Sequence, residues 1–117
     1  MNWADDCAYA PDRKQRFHSS ARTRLRRLAR ELGFATDSYD LRSNPGGEAV
    51  SGEVTLHHDA IYIQVSQPCM GGNTGVLIRT CRGRRDHTGG QNTFASLDLL
   101  DDPPALAGRV RAVMGRG

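Results

Sequence analysis

The sequence is poor in the features that mark several large classes of protein. Its three cysteines, Cys7, Cys69 and Cys81, are widely spaced and form no C-x-x-C pair, which argues against a disulfide framework. No stretch approaches the roughly 18 consecutive apolar residues of a membrane-spanning helix. Residues 1–6 also lack the basic and then apolar order of a secretory signal. We therefore expect a cytoplasmic protein that does not enter a membrane.

Motifs of the common enzyme classes are missing as well. There is no G-x-S-x-G, no G-x-G-x-x-G and no G-x-x-x-x-G-K-[ST], so a serine hydrolase, a dinucleotide enzyme or a P-loop protein has no support. Among the plausible metal ligands, only His57 and His58 are close in sequence, and adjacent side chains of a strand point to opposite faces. We expect no metal site, no cofactor and no catalytic residues.

The distribution of charge is the most distinctive property of the chain. The formal net charge is only +3, but residues 1–33 carry eight basic and four acidic side chains, and residues 79–92 carry four and one. Residues 34–78 carry one basic and five acidic side chains. Lys14 is the only lysine; the other basic residues are arginines, whose planar guanidinium pairs bidentately with phosphate or carboxylate. The two basic segments are therefore candidates for contact with an acidic partner.

The first basic segment contains a predicted helix that begins at Ser19 or Ser20. Its apolar residues recur at three- and four-residue steps, which places them on one face: Ala21, Leu25, Leu28, Ala29 and Leu32. Gly33, followed by apolar Phe34, suits the left-handed position that ends many helices. Residues 1–18 have no clear period, so we expect an irregular N-terminal arm followed by a single domain over residues 19–117.

Alternating apolar residues predict a sheet in the middle of the chain. Residues 49–57 and 60–66 have the clearest strand patterns and are joined by a short connection, with further strands over 35–43 and 75–81. Asp102 before Pro103 marks the start of a second helix. The predicted fold is α+β, with an N-terminal helix, a three- or four-stranded antiparallel sheet and a C-terminal helix, both helices lying on one face.

This order of elements resembles that of the double-stranded-RNA-binding domain. The resemblance concerns the order alone, because that family contacts phosphates with a lysine-rich start of its second helix. The matching position here reads Asp101-Asp102-Pro103-Pro104-Ala105. The resemblance therefore implies an outline of the fold and no function.

Two arginine-rich segments are the candidate binding surfaces. On the helix, arginines lie opposite the apolar face or at its margins, where like charges repel unless a phosphate or an acidic surface relieves them. In the loop 79–92, glycines let the backbone approach a ligand, and arginine and amide groups supply donors. The predicted binding residues are Arg22, Arg26, Arg27, Arg30, Arg79, Arg82, Arg84, Arg85, His87, Gln91 and Asn92. A solvated helix face and a polar surface hairpin are the structural alternatives.

These patterns favour a small non-enzymatic protein that binds nucleic acid or a nucleoprotein complex. Few aromatic residues lie in the basic segments, which favours contact with the backbone over base stacking. The alternative is a protein-binding inhibitor or adaptor, such as a mobile-element anti-defence protein of the anti-CRISPR type. A third hypothesis is a small ribonuclease toxin, in which His87 acts in acid–base cleavage and Arg85 stabilises the developing phosphate charge.

Overall fold

The computed structural model describes residues 11–44, 52–67, 75–86 and 90–116. In chain order the elements are α1 (Pro11–Glu31), β1 (Tyr39–Asn44), β2 (Glu53–His58), β3 (Ile61–Ser66), β4 (Val76–Thr80), β5 (Thr93–Ala95), a 3-10 helix (Leu97–Asp101) and α2 (Pro103–Arg116). The α+β class is confirmed, and the two α-helices contact each other. No helix among these residues is long and apolar enough to cross a membrane.

The start of α1 differs from the prediction. The helix begins at Pro11 and not at Ser19. Pro is tolerated in a first turn because the N–H that it lacks has no partner there, and the negative charge of Asp12 favours a helix N-terminus. Phe17 is fully buried and extends the apolar face of the helix toward its N-terminus. Residues 11–18 are therefore helical, and residues 1–10 of the predicted arm lie outside the described residues.

The end of α1 confirms the prediction for Gly33. This glycine has a φ of 77°, in the left-handed region. Its N–H donates to the carbonyl of Arg30 at 3.0 Å, and the N–H of Phe34 donates to the carbonyl of Ala29 at 2.9 Å. Both bonds satisfy carbonyls of the last turn, in the pattern of a Schellman motif.

Within the described ranges the sheet has five antiparallel strands in the order β1-β2-β3-β4-β5, so the predicted number of three or four was too low. The additional strand is β5, whose three residues pair with β4. The short connection between β2 and β3 is confirmed, since it consists of Asp59 and Ala60. Each strand pairs with its neighbour in the chain, and such local pairing makes the sheet a meander.

A single core joins the sheet to both helices. Its buried members alternate along the strands and repeat along the helices: Phe17, Ala21, Leu25, Leu28 and Ala29 from α1, Val54, Leu56, Ile61, Ile63, Val65, Val76 and Ile78 from the sheet, and Leu106, Ala107, Val110 and Val113 from α2. Asp102 begins α2 as predicted, because its carboxylate accepts the N–H of Ala105 at 3.3 Å. Arg111 then donates to the carbonyl of Glu31 at 2.9 Å and so links the two helices.

Candidate nucleic-acid interface

The half of α1 opposite the core carries exposed polar residues along the length of the helix. At about 100° per residue, the exposed arginine, serine and threonine side chains of that half form what we call the outer strip of α1: Arg13, Arg16, Ser19, Thr23, Arg26, Arg27 and Arg30. Asp12, Gln15 and Glu31 are also exposed on this half, nearer the ends of the helix. In the described part of the chain, none of these five arginines forms an ion pair. The two carboxylates of α1, Asp12 and Glu31, lie at its opposite ends. The strip is therefore a largely uncompensated positive surface.

Two other arginines of α1 are engaged within the fold. Arg24 donates from Nε to a carboxylate oxygen of Asp101 at 2.8 Å, and from Nη1 to the carbonyl of Ser20 at 3.3 Å. Arg22, a predicted binding residue, is half-buried and donates to the hydroxyl of Ser43 at 3.2 Å. Arg22 therefore ties α1 to β1, and the structure offers its guanidinium less freely than those of the outer strip.

The C-terminal end of the strip carries three of the predicted binding residues. Arg26, Arg27 and Arg30 are all exposed, and Arg30 lies three and four residues beyond the other two. Side chains at these spacings are neighbours on a helix, and a like-charge pair costs roughly 0.2–0.5 kcal/mol. An anion held between them removes this repulsion, and each guanidinium presents a fork that matches two phosphate oxygens.

In the loop after β4, Arg84 is turned inward and holds the loop to the sheet. Its Nε donates to Asp59 at 3.0 Å and its Nη1 lies 3.6 Å from a carboxylate oxygen of Asp40. Its Nη2 donates to the carbonyl of Asp37. We call this set of contacts the Arg84 clasp. It fixes the loop against β1 and the β2–β3 connection, and it partly neutralises the acidic middle segment that the sequence analysis singled out.

The rest of the loop is more open. Arg82 and Arg85 are exposed, and the carboxylate of Asp86 accepts the backbone N–H of Arg82 at 2.9 Å, which closes the turn. Gln91 and Asn92 are exposed on the approach to β5. His87 lies outside the described residues, so its predicted roles stay predictions. Among its described residues, the loop therefore offers two exposed guanidinium groups and two exposed amides.

Arg79 belongs to a different surface from the other predicted residues. It lies on β4 directly opposite Tyr62 of β3, with its guanidinium 4.3 Å from the centroid of the tyrosine ring. Directly paired residues of an antiparallel sheet point to the same side. Register and alternation place Arg42, His57, Tyr62, Gln64 and Arg79 together on the face opposite the core, which we call the polar sheet face.

Sequence reasoning did not identify the polar sheet face as a cluster. Alternation within one strand places Tyr62 and Gln64 on the same side, but the register that adds Arg42 and His57 depends on how the strands pair. His57 has no solvent exposure; its ring meets the Tyr62 ring edge-on at 5.1 Å, and its Nδ1 lies 3.4 Å from Nη1 of Arg42. In this arrangement the imidazole is not accessible to a substrate, so the cluster is better suited to holding the sheet than to acid–base chemistry.

Burial raises the pKa of two side chains in the sheet region, Tyr62 and Cys81. Burial, followed by the negative charge of Glu53, raises the pKa of Tyr62, whose hydroxyl donates to Gln64 at 3.1 Å. Burial also raises the pKa of the Cys81 thiol, which donates to the carbonyl of His58 at 3.2 Å. Both groups therefore stay neutral at physiological pH and serve as hydrogen-bond donors.

Metal-binding groups do not gather in the part of the chain that the structure describes. No three side chains of the types His, Cys, Asp and Glu lie together there in a way that could hold an ion. His57 faces the polar sheet face, whereas the ring of the adjacent His58 stacks on Phe34 with centroids 3.9 Å apart. Cys7, Cys69 and His87 lie outside the described residues.

Comparisons with known proteins found no likeness that would identify the chain. No model of a protein family, no curated protein and no solved structure matches it.

Proposed function

We propose that this protein binds the phosphate backbone of nucleic acid through the arginines of the outer strip of α1. The observation that carries the proposal is a division among the arginines. Some hold the fold together, as Arg24 and Arg84 do through carboxylate and carbonyl partners. Arg26, Arg27 and Arg30 are instead exposed and form no ion pair among the described residues. Their charge is available to a partner.

The composition of the strip favours the backbone as the part of the nucleic acid that is contacted. No aromatic side chain belongs to the strip, so it has no platform for base stacking. Its polar residues are arginine, serine and threonine, the types that most often contact phosphate oxygens. The proposal also holds that both helices lie on one face of the sheet. The core that the two helices share supports this placement, which leaves the strip facing solvent.

Binding of a labelled nucleic acid over a range of salt concentrations tests the proposal. The variant with Arg26, Arg27 and Arg30 all changed to Gln should bind at least roughly tenfold more weakly at moderate salt. Its log–log salt slope should be shallower by about 2 to 3, because each lost phosphate contact contributes about 0.7 to 0.9. Gln keeps a helix propensity close to that of Arg, and circular dichroism should show an unchanged helix content.

Arg84→Gln is the control for the loop, because it removes a single arginine that was predicted to bind from outside α1. It breaks the Arg84 clasp, which should lower the free energy of unfolding by about 1 kcal/mol, the upper end for partly exposed ion pairs. Its affinity and salt slope should stay those of the wild type. A loss of affinity in Arg84→Gln equal to that of the triple variant would place the interface in the loop and contradict the proposal.

The two other hypotheses predict different results. A protein-binding inhibitor or adaptor would show no appreciable affinity for nucleic acid at low salt and would retain its partner after nuclease treatment of a cell extract. A ribonuclease toxin would lose its toxicity on expression when His87 or Arg85 is changed to Ala without loss of folding. We favour the backbone-binding function because α1 carries five exposed arginines on one side of a single helix, and none of them forms an ion pair among the described residues.

A further inference from the structure

The early start of α1 places Arg13 and Arg16 on the same continuous helix as Arg26, Arg27 and Arg30. The first two form an N-terminal cluster and the last three a C-terminal cluster. Arg16 and Arg27 are about three whole helical turns apart and so point in nearly the same direction. The outer strip therefore carries two separate groups of guanidinium ions on one side of a single α-helix.

Between the clusters, the strip carries hydroxyl groups and no available charge. Ser19 and Thr23 are the exposed residues there. Two arginines lie at the margins of this middle section: Arg24 is held by Asp101 and by the carbonyl of Ser20, and Arg22 is half-buried and donates to the hydroxyl of Ser43. The fold thus draws the arginines beside the middle of the strip into contacts and leaves the exposed guanidinium groups at both ends.

The spacing of the clusters fits the geometry of a double helix. With a rise of about 1.5 Å per residue, Arg16 and Arg26 are about 15 Å apart along the axis, and Arg13 and Arg30 about 25 Å. The major groove of B-form DNA is about 12 Å wide, so phosphates of the two strands face each other at a comparable distance. A single strand presents no second backbone at a fixed distance, and the major groove of A-form RNA is narrow and deep.

We infer that the outer strip lies across the major groove of double-stranded DNA, with the N-terminal cluster on one strand and the C-terminal cluster on the other. The inference rests on the proposed function and adds the form of the nucleic acid and the way in which it is held. Ser19 and Thr23 then face the groove between the two backbones, where hydroxyl groups hydrogen-bond to either base edges or phosphates.

The test compares two double variants of the full chain on a labelled DNA duplex. One changes Arg13 and Arg16 to Gln, and the other changes Arg26 and Arg27 to Gln. Each should make the salt slope shallower by about 1.8, because two contacts to a duplex are lost at about 0.9 each. Arg109→Gln removes an exposed arginine of α2 outside the strip and should leave the slope unchanged. The wild type should bind the duplex at least tenfold more tightly than either separated strand or an RNA duplex of the same sequence.

The outcomes separate this inference from the proposed function. The groove-spanning arrangement is wrong if only the Arg26 and Arg27 variant changes the salt slope. It is also wrong if the protein binds the DNA duplex, the single strand and the RNA duplex equally well. In both cases, backbone binding by α1 stands. If the wild type binds none of the three probes at low salt, the proposed function itself is overturned. Circular dichroism of the Arg13 and Arg16 variant checks that its first helical turns are intact.

Discussion

His58 makes the stability of the β2–β3 hairpin depend on pH. Its Nδ1 accepts the backbone N–H of Ala60 at 3.1 Å, and its ring is stacked on Phe34. Burial lowers the pKa of His58 below the ordinary value of 6.5; the charge of Asp59 opposes this effect, and that of Arg84 adds to it. The folded chain therefore holds a proton on His58 less tightly than the unfolded chain does.

This lowered pKa predicts how stability depends on pH. The stabilising contribution of neutral His58 is complete above about pH 6.5, the value in the unfolded chain, and is lost as the pH falls toward and below the lower folded pKa. Protonation at Nδ1 also removes the acceptor for Ala60. In His58→Asn, the side-chain oxygen can accept that N–H but does not titrate. Between about pH 8 and pH 5, the free energy of unfolding should fall more steeply in the wild type than in His58→Asn.

Urea unfolding at a series of pH values measures both curves. The variant loses the stacking on Phe34, so its stability at neutral pH should be lower than that of the wild type. The difference between the two proteins should shrink as the pH falls. Parallel curves would show that the hairpin does not couple to the protonation of His58.

Individual residues also show where sequence reasoning reaches its limit. Arg26, Arg27 and Arg30 are exposed as the apolar period predicts, because local spacing alone determines which side of a helix they occupy. The partner of Arg24 is Asp101, 77 residues away, and no local pattern can identify such a pair. Arg84 and its carboxylates are likewise brought together by the fold.

At the scale of elements, the glycine that follows α1 and the glycine inside α2 place opposite demands on the backbone. Gly33 has a left-handed φ of 77°, where a Cβ is strained although no atom lies within 4 Å of it. Gly108 lies within α2, is exposed, and likewise has open space around a Cβ. The two sites differ in conformation and not in room, which makes them a matched pair.

Alanine substitutions at the two glycines should change stability in opposite directions. Gly33→Ala should lower the free energy of unfolding by about 1 kcal/mol or more, since a left-handed residue with a Cβ costs about 1–2 kcal/mol. Gly108→Ala should raise it by about 0.5–1 kcal/mol, because glycine inside a helix is less favourable than alanine by that amount. Denaturant unfolding measures both. If Gly33→Ala is neutral or stabilising, the described end of α1 is incorrect.

The elements were predictable to different degrees. In strands β2 and β3, apolar residues that face the core alternate in the sequence with residues of the opposite face, and the glycine that follows α1 is a strong local signal. The start of α1 was missed because Ser19 and Ser20 are typical N-cap residues, yet serine is also tolerated on an exposed helix face. β5 was missed because three residues show no period, and its pairing with β4 is a property of the assembled sheet.

At the scale of the whole molecule, some arginines stabilise the fold through internal contacts, and others remain exposed to a partner. Those near the acidic middle segment are drawn into contacts such as the Arg84 clasp, whereas those on the outer strip of α1 keep their charge exposed. The net charge of +3 does not reveal this division. The surface that matters for a polyanion is the local one, because exposed charges farther apart than about 8–10 Å are largely screened at physiological salt.

The measurement that tests this account most directly is an NMR titration of isotope-labelled protein with a short DNA duplex. It follows the backbone amides and the arginine Nε–H signals, so it locates the interface without removing any residue. We predict that the shifts concentrate on residues 13–30, with the Nε–H signals of Arg26, Arg27 and Arg30 changing most and that of Arg84 unchanged. Shifts concentrated on the polar sheet face or on residues 82–92, or no shifts at low salt, would contradict binding by α1.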